Sequence, residues 1–331
     1  MNRRQFLSAG ASALACIGLP PRPARAHIRP QVMRFSCSNG ISSQQGQYAV
    51  AFAAQVQALS GGRLRIEVYP SSSLGGEAET IADTSKGVLE MTLVSSAGYA
   101  AVAPRLGVFD IPFLFRDVAH ARAVLDGPIG QQALSEVEAA GLVGLAWGEN
   151  GLRHLTTATV PVTKPEDLAG LKVRVPQSEI MVKGLKALGA DARPLSFPEL
   201  YGALSSGEFQ AQENPLSNIL SSNFDRVQKY LSLTGHVYSP AMLVMSRRAY
   251  DGVPEEDRPL LHRAARIAAR TSRDYGDQSE ASATAELKRR GMTVLTDIDR
   301  QAFMTASLRT QGEFEALFGP ATLAAIRAYG K

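Results

Sequence analysis

The alternation of hydrophobic and polar residues predicts a repeating succession of strands and helices in the first half of the chain. An alternating strand at residues 33–37 precedes a helical run at 44–59. A period-two strand at residues 64–69 then precedes a helix at 77–86 and a buried strand at 89–94. This β-α-β-α-β order favours a mainly parallel sheet with helices on both faces.

The same order recurs later in the chain. Strands are predicted at residues 142–147 and 171–175, followed by helices at 178–188 and 197–205 and by a strand at 241–246 that returns to the first unit. We therefore expect an α/β fold of two lobes with crossings between them and a ligand cleft at the strand ends. Such an architecture suits an enzyme or a binding protein.

One predicted helix is unusually long. Residues 255–290 form a helical run of about 36 residues with Gly276 in its interior. A helix of this length would extend for ~50 Å, so it must lie along both lobes or be kinked at Gly276. A last strand at residues 292–295 and helices at 301–318 and 322–329 complete the pattern.

Composition and charge exclude several classes of protein. The 331 residues are 45% hydrophobic and 20% charged, which is typical of a globular protein and not of a disordered chain. Lys and Arg number 35 against 31 Asp and Glu, but four arginines lie within residues 1–26, where there is no acid. The remainder is formally neutral, so nucleic-acid binding has no electrostatic basis.

Residues 1–26 have the three parts of a secretory signal. Arg3 and Arg4 precede an apolar stretch at residues 6–19, and a cleavage site of the A-x-A type ends at Ala26. The paired arginines favour a twin-arginine signal, with a general secretory signal as the alternative. We expect a periplasmic protein cleaved after Ala26, whose one remaining cysteine, Cys37, is a buried residue of the first strand.

The sequence contains no recognisable catalytic, nucleotide or metal motif. Phosphate-binding glycine loops, the G-x-S-x-G elbow and H-E-x-x-H are absent, and the five histidines are scattered. We therefore predict no catalytic residue, no cofactor and no metal site, which favours a binding protein over an enzyme.

Two arginines stand where the cleft is expected. Arg153 follows a predicted strand at the lobe crossing, and alternation places Lys172 and Arg174 on one face of the strand at residues 171–175. A buried arginine is costly unless it meets an anion, and its planar guanidinium binds a carboxylate bidentately. The pattern predicts a carboxylate site; the alternative is an edge strand with both side chains in solvent.

Asn214 supplies a candidate amide. It precedes Pro215 and is predicted to begin a loop after a short strand at residues 208–211. Its side chain can donate to one ligand oxygen and accept from a hydroxyl, although Asn-Pro alone is more typical of a turn.

An ordered set of short phrases carries a family resemblance. Together with Arg153 they resemble the DctP-type solute-binding proteins of tripartite ATP-independent periplasmic (TRAP) transporters, over essentially the whole mature chain. The phrases are YP (69–70), LG (74–75), IPFLFRD (111–117), DLAGLKVRVP (167–176), LGA (188–190), FPELYGAL (197–204), QENP (212–215) and VQKY (227–230).

The resemblance implies a two-lobed periplasmic binding protein fold that closes on an organic acid, with the long helix spanning both lobes. By family motif, Arg174 pairs with the ligand carboxylate, Arg153 is a second cleft arginine, Phe197 lines the cleft and Asn214 hydrogen-bonds the ligand. Glu213 faces either the ligand or the hinge.

Two first-lobe residues, Glu77 and Ser95, fall near positions where the family sets its specificity. The usual Asp-Gly before the Gln-Glu-Asn phrase is Gln210-Ala211 here, which alters the local turn without touching Arg174.

The implied division of the chain has four parts. Lobe I comprises residues 27–150 and about 240–279, and lobe II comprises 151–239 and about 280–307. Residues 308–331 form C-terminal helices, and residues 1–26 are the signal.

The implied partners are a small carboxylate and the membrane-embedded TRAP permease, with a monomeric receptor that binds no nucleic acid. Sugar acids and C4-dicarboxylates are the expected ligands. An exported two-lobed enzyme and a receptor for a sensor kinase are the alternatives.

Overall fold

The computed structural model describes residues 30–330, so the predicted signal at 1–26 lies outside the described residues. Within this part of the chain a nine-stranded sheet has the order β2-β1-β3-β8-β4-β7-β5-β6, with β9 beside β8. The strands are β1 (Gln31–Cys37), β2 (Leu64–Tyr69), β3 (Met91–Ser95), β4 (Leu142–Thr157), β5 (Lys172–Val175), β6 (Asp191–Pro194), β7 (Ala211–Pro215), β8 (Tyr230–Ser246) and β9 (Thr293–Leu295).

The helices of the described chain agree with most of the predicted ones. The helix expected at residues 301–318 is two helices separated by a short 3-10 turn. The helices are α1 (Gln44–Leu59), α2 (Glu77–Ser85), α3 (Val118–Asp126), α4 (Pro128–Ala133), α5 (Glu179–Ala187), α6 (Leu200–Ser205), α7 (Leu216–Ser221), α8 (Arg247–Asp251), α9 (Arg258–Arg289), α10 (Arg300–Ser307), α11 (Gln311–Phe318) and α12 (Pro320–Ala328).

The sheet is parallel towards its two edges and antiparallel in its middle. β1 pairs in parallel with β2 and β3, and β5 pairs in parallel with β6 and β7. The three pairs that join these halves, β3–β8, β8–β4 and β4–β7, are antiparallel. The expected parallel arrangement therefore holds within each lobe, and the antiparallel centre arises because the chain crosses on one strand and returns on another.

The crossing strands are much longer than predicted. β4 has 16 residues and β8 has 17, whereas the hydrophobic pattern predicted only residues 142–147 and 241–246. Glycines such as Gly148 and Gly151 resemble strand ends in the sequence, but register shifts along the β4–β8 pair absorb them. Arg153 consequently lies inside β4 and not after it.

Four apolar clusters cover the faces of the sheet. Adjacent β8 residues Leu243 and Val244 point into different clusters, as strand alternation requires. Val173 and Leu287 belong to the two clusters of the second lobe. Cys37 is fully buried at the end of β1, as expected. Each lobe therefore has its own two-sided core, and the two-lobed α/β fold is confirmed.

Helix α9 runs unbroken across both lobes. It begins at Arg258, three residues later than predicted, with Pro259 in its first turn, where a missing N–H is harmless. In its first half, Ala265 packs in the apolar cluster that also contains residues of α1. In its second half, Leu287 packs in a second-lobe cluster, and the helix lies beside α7. At 32 residues it is ~48 Å long.

Gly276 allows α9 to approach the crossing strands closely. A Cβ at this position would lie 2.0 Å from Nε2 of Gln44. That Nε2 donates a hydrogen bond of 3.0 Å to Glu149 of β4, so Gln44 is not free to move away. The helix therefore passes the hinge at a position that only glycine fits.

We expect Gly276→Ala to lower the free energy of unfolding by about 1–3 kcal/mol, because overpacking against Gln44 outweighs the gain in helix propensity. Gly202→Ala is the matched control, since a Cβ at Gly202 in α6 meets nothing within 4 Å. It should raise the free energy of unfolding by about 0.5–1 kcal/mol in the same urea titration. A similar gain in both variants would contradict the close approach.

Candidate functional site

A narrow pocket with a cavity volume of about 10 Å³ lies between the lobes, and we call it the cleft pocket. It contains six of the seven residues predicted for the site; Glu213 does not line it. The lining residues are Asn39, Glu77, Ser95, Asn150, Arg153, Arg174, Pro176, Phe197, Asn214 and Asn218.

Arg174 is a buried cation whose charge no side chain of the described chain neutralises. β5 lies between β6 and β7, so the edge-strand alternative is wrong. Arg174 is only 2% exposed, and its Nε and Nη2 donate to the carbonyl oxygen of Leu195 at 2.8 and 2.6 Å. No carboxylate of residues 30–330 lies within 4.0 Å of it. Burial and the nearby Arg153 lower the pKa of Arg174 to about 10.

Phe197 shapes one wall beside this cation. The guanidinium carbon of Arg174 lies 5.8 Å from the centre of the Phe197 ring, within the range of a cation–π contact. Phe224 packs edge-on against the same ring and holds it in place.

Arg153, in contrast, has a carboxylate partner. Its Nε and Nη2 donate to the two carboxylate oxygens of Glu213 at 2.5 and 2.7 Å, and both side chains are buried. His236 also contacts Glu213, at 3.2 Å. Burial alone would raise the pKa of Glu213, but Arg153 and His236 hold it below its usual value. Glu213 thus positions Arg153 from outside the cleft pocket.

Glu77 and Ser95 form the first-lobe wall. Glu77 opens α2 and is half-buried; its carboxylate accepts hydrogen bonds from Ser95 N and Oγ at 3.1 and 3.0 Å. Burial raises the pKa of Glu77, and the bonds from Ser95 oppose that shift. Glu77 and Ser95 line the same pocket as Arg153 and Arg174.

Asn214 lies within β7, so the expectation that it begins a loop is wrong. Strand β7 continues to Pro215 and pairs residue by residue with β4. Nδ2 of Asn214 donates to Gln212 at 2.6 Å, and its Oδ1 accepts from Arg153 at 3.4 Å. The amide is therefore fixed in orientation before a ligand enters.

The sequence reasoning missed three amides of the pocket. The Oδ1 of Asn150 accepts hydrogen bonds of 3.0 Å from Asn39, Gln45 and Asn218, which lie after β1, in α1 and in α7. Signals could have found two of them: Asn39 lies two residues after a predicted strand end, and Asn218 is four residues after Asn214 at the start of the next helix. The three amides connect both lobes at the pocket.

Asp110 is a buried carboxyl group close to the site. Its Oδ1 accepts from Ser96 Oγ at 2.5 Å, while its Oδ2 has no partner within the described chain. Burial raises the pKa of Asp110 to about 7, although Ser96 and Arg153 oppose the shift.

Within residues 30–330 no cluster of three or more His, Cys, Asp or Glu side chains suits a metal ion. None of the helices described is long and apolar enough to cross a bilayer.

The fold and the pocket define a class of protein. Two α/β lobes enclose a pocket with an unpaired arginine and a set of fixed amides, which is the arrangement of a solute-binding protein. The chain belongs to the bacterial extracellular solute-binding proteins, family 7 (DctP), whose pattern matches residues 35–316. The protein is therefore a receptor and not an enzyme.

Relatives and solved structures agree with this assignment. A solute-binding protein of Verminephrobacter eiseniae is 40% identical over 89% of this chain and 88% of its own length. The 2,3-diketo-L-gulonate-binding periplasmic protein of Escherichia coli is 35% identical over 84% of this chain and 85% of its own. A TRAP periplasmic solute-binding protein from Polaromonas sp. JS666 bound to D-erythronate matches with a TM-score of 0.89 and 39% identity, over 91% of this chain and 99% of that one.

The raised pKa of Asp110 predicts how stability depends on pH. The folded protein keeps this proton up to about pH 7, whereas the unfolded chain loses it near pH 4, so Asp110 lowers stability as pH rises between these values. We expect the free energy of unfolding of Asp110→Asn, minus that of the wild type, to grow by about 2–4 kcal/mol from pH 4 to pH 8.

The measurement is denaturant unfolding at several pH values. Asp274→Asn, at an exposed position of α9, is the control for the substitution itself. A flat difference for Asp110→Asn would contradict the assignment of a raised pKa.

Proposed function

We propose that this protein is a periplasmic TRAP receptor that captures a hydroxylated organic acid and binds its carboxylate with Arg174. The observation that carries the proposal is the buried guanidinium of Arg174, which faces the cleft pocket without an anion from the described chain. Burying a cation without a partner is unfavourable, so the pocket gains free energy when a carboxylate enters.

The geometry of Arg174 leaves room for this contact. Two of its nitrogens, Nε and Nη2, bond the Leu195 carbonyl, and Nη1 has no acceptor within the described chain. A charge-assisted bond from this nitrogen, formed in a pocket from which water is largely excluded, is among the stronger hydrogen bonds. Arg153 and Asn214 add donors on the same side.

The opposite wall supports a ligand with hydroxyl groups. Glu77 and the oxygen atoms of the pocket amides accept hydrogen bonds, whereas a second carboxylate placed there would be repelled by Glu77. D-erythronate and 2,3-diketo-L-gulonate, which two of the relatives bind, are monocarboxylates with several oxygen functions. We therefore favour a sugar acid over a C4-dicarboxylate.

Glu213 acts as a positioning residue in this proposal. Its carboxylate pairs with Arg153 and so offsets the repulsion between the neighbouring guanidinium groups of Arg153 and Arg174. Removing one member of a buried pair costs about 3–5 kcal/mol, so Glu213 also stabilises the fold.

We propose that lobe I comprises residues 27–150 and about 240–279, and that lobe II comprises 151–239 and about 280–307, with residues 308–331 as C-terminal helices. The long strands β4 and β8 form the crossing between them. Closure of the lobes brings Glu77 and Arg174 to the same ligand, so binding shifts the equilibrium towards the closed state.

The proposed route includes export and delivery. The signal at residues 1–26 directs the chain to the periplasm with cleavage after Ala26, and the closed receptor delivers its ligand as a monomer to the TRAP permease. The family assignment supports the permease over a sensor kinase as the partner.

Arg174→Gln should weaken binding of sugar acids by about 100-fold or more, because it removes the charged contact in a buried site. The folded state should not lose stability, since an uncompensated buried charge is removed. The matched control is Arg193→Gln. Arg193 lies opposite Arg174 in the register of strands β5 and β6, but it is exposed, so binding should not change.

Titration calorimetry on protein unfolded and refolded to remove carried-over ligand measures both variants. The panel contains D-erythronate, D-galactonate, succinate and the corresponding neutral amides. Tight binding by Arg174→Gln, or binding of the amides by the wild type, would overturn the assignment.

Glu77→Gln tests the ligand class. The wild type should prefer the aldonates to succinate, and the substitution should reduce that preference about tenfold by removing the repulsion of a second carboxylate. Glu79→Gln on the same helix is the control. A wild type that prefers succinate would contradict the sugar-acid proposal while leaving the role of Arg174 intact.

A further inference from the structure

A second concave site lies near the crossing strands, and we call it the outer crevice. Its cavity volume is about 230 Å³, somewhat below the usual range of about 300–1,000 Å³ for small-molecule pockets, so it suits only a compact ligand. No residue lines both this site and the cleft pocket. The residues that matter for the argument are Phe113, Phe115, Leu152, His236, Tyr238 and Arg300.

The two sites lie on opposite sides of β4. Leu152 lines the outer crevice and Arg153 lines the cleft pocket, and consecutive side chains of a strand project to opposite faces. Across the ladder Leu152 pairs with Tyr238, which also lines the crevice. A molecule in the crevice therefore does not occupy the proposed carboxylate site.

Phe113 is held in a strained backbone conformation at this site. Its φ of 55° lies in the left-handed region, which is unusual for a bulky residue. Its backbone N–H donates to the carbonyl oxygen of His236 at 2.8 Å, which fixes the loop before α3 against β8. Strain of this kind persists only where surrounding contacts enforce it, and it is concentrated at functional sites.

One guanidinium at the rim is available to a ligand. Arg300 of α10 stacks over the Phe113 ring at 5.1 Å, and its Nη1 donates to the sulfur of Met304 at 3.5 Å. It has no carboxylate within 4.0 Å among residues 30–330. The rim also carries Arg116, which donates to the carbonyl oxygens of Arg327 and Tyr329, and Asp117, which caps α3.

The walls of the crevice are apolar and aromatic. Phe115 and Tyr238 pack edge to face at 5.8 Å and are nearly fully buried, and Leu152 lies beside them. The site therefore combines an apolar body with the exposed guanidinium of Arg300 at its mouth.

We propose that the outer crevice is a second ligand site, which binds a compact aromatic monocarboxylate. The ring lies against Phe115, Leu152 and Tyr238, and the carboxylate pairs with Arg300. A sugar acid does not fit this chemistry, because its hydroxyl groups would lose water against the apolar walls without gaining partners. The cleft pocket and the outer crevice thus select opposite kinds of acid.

Phenylacetate is the probe, with phenylacetamide as its neutral counterpart, and binding is measured by titration calorimetry on the full mature chain. We expect saturable millimolar or tighter binding of phenylacetate, and about five- to tenfold weaker binding by Arg300→Gln, since a partly exposed ion pair contributes about 1 kcal/mol. Arg226→Gln, at an exposed arginine of the same lobe, is the matched control and should bind like the wild type.

Arg174→Gln separates this proposal from the proposed function. It should lose the sugar acid and keep phenylacetate, and a crystal structure with phenylacetate should place it beside Arg300. Loss of phenylacetate binding in Arg174→Gln with retention in Arg300→Gln would place the probe in the cleft pocket and overturn the second site. Absence of saturable binding by the wild type, or equal binding of the amide, would also overturn it.

Discussion

The cost of burying a positive charge without an anion is the constraint on which the pocket depends. Arg174 and Arg153 lie close enough for each to disfavour the charge of the other, yet only Arg153 has a carboxylate partner. Glu213 neutralises the charge of Arg153, so Arg174 is the arginine of the pocket that is left without a carboxylate within 4.0 Å among the described residues. If both arginines were paired with carboxylates, no unpaired cation would favour the binding of an acid. If neither were paired, two uncompensated buried charges would strongly destabilise the folded state.

The remaining features of the site follow from how the chain crosses between lobes. β4 carries Asn150 and Arg153 through the hinge, and β7 pairs with it so that Asn214 stands beside them. The buried amides orient one another before a ligand arrives, so little conformational entropy is lost on binding. The crossing strands thus connect the two lobes, and β4 also carries residues that line the pocket.

The sequence predicted the elements with a clear hydrophobic period and the residues with a family motif. Helix α9 was predictable because its residues form a long run with few breaks, and the strand around Val173 because its polar and apolar residues alternate. The full lengths of β4 and β8 were not, because glycines that act as strand breaks in most contexts are absorbed here by register shifts. The partnership of Arg153 with Glu213, 60 residues apart, depends on strand pairing that no local pattern records.

Helix α9 has a mechanical consequence. Its first half packs in the apolar cluster that contains residues of α1, and its second half packs beside α7. Between these halves the helix passes the crossing strands at Gly276. Any rotation of one lobe against the other must bend helix α9 or shift it past Gln44. The helix therefore adds its bending stiffness to that of the two crossing strands and resists a change in the angle between the lobes. Sequence changes near its midpoint would retune the affinity of the receptor while leaving every atom that touches the ligand unchanged.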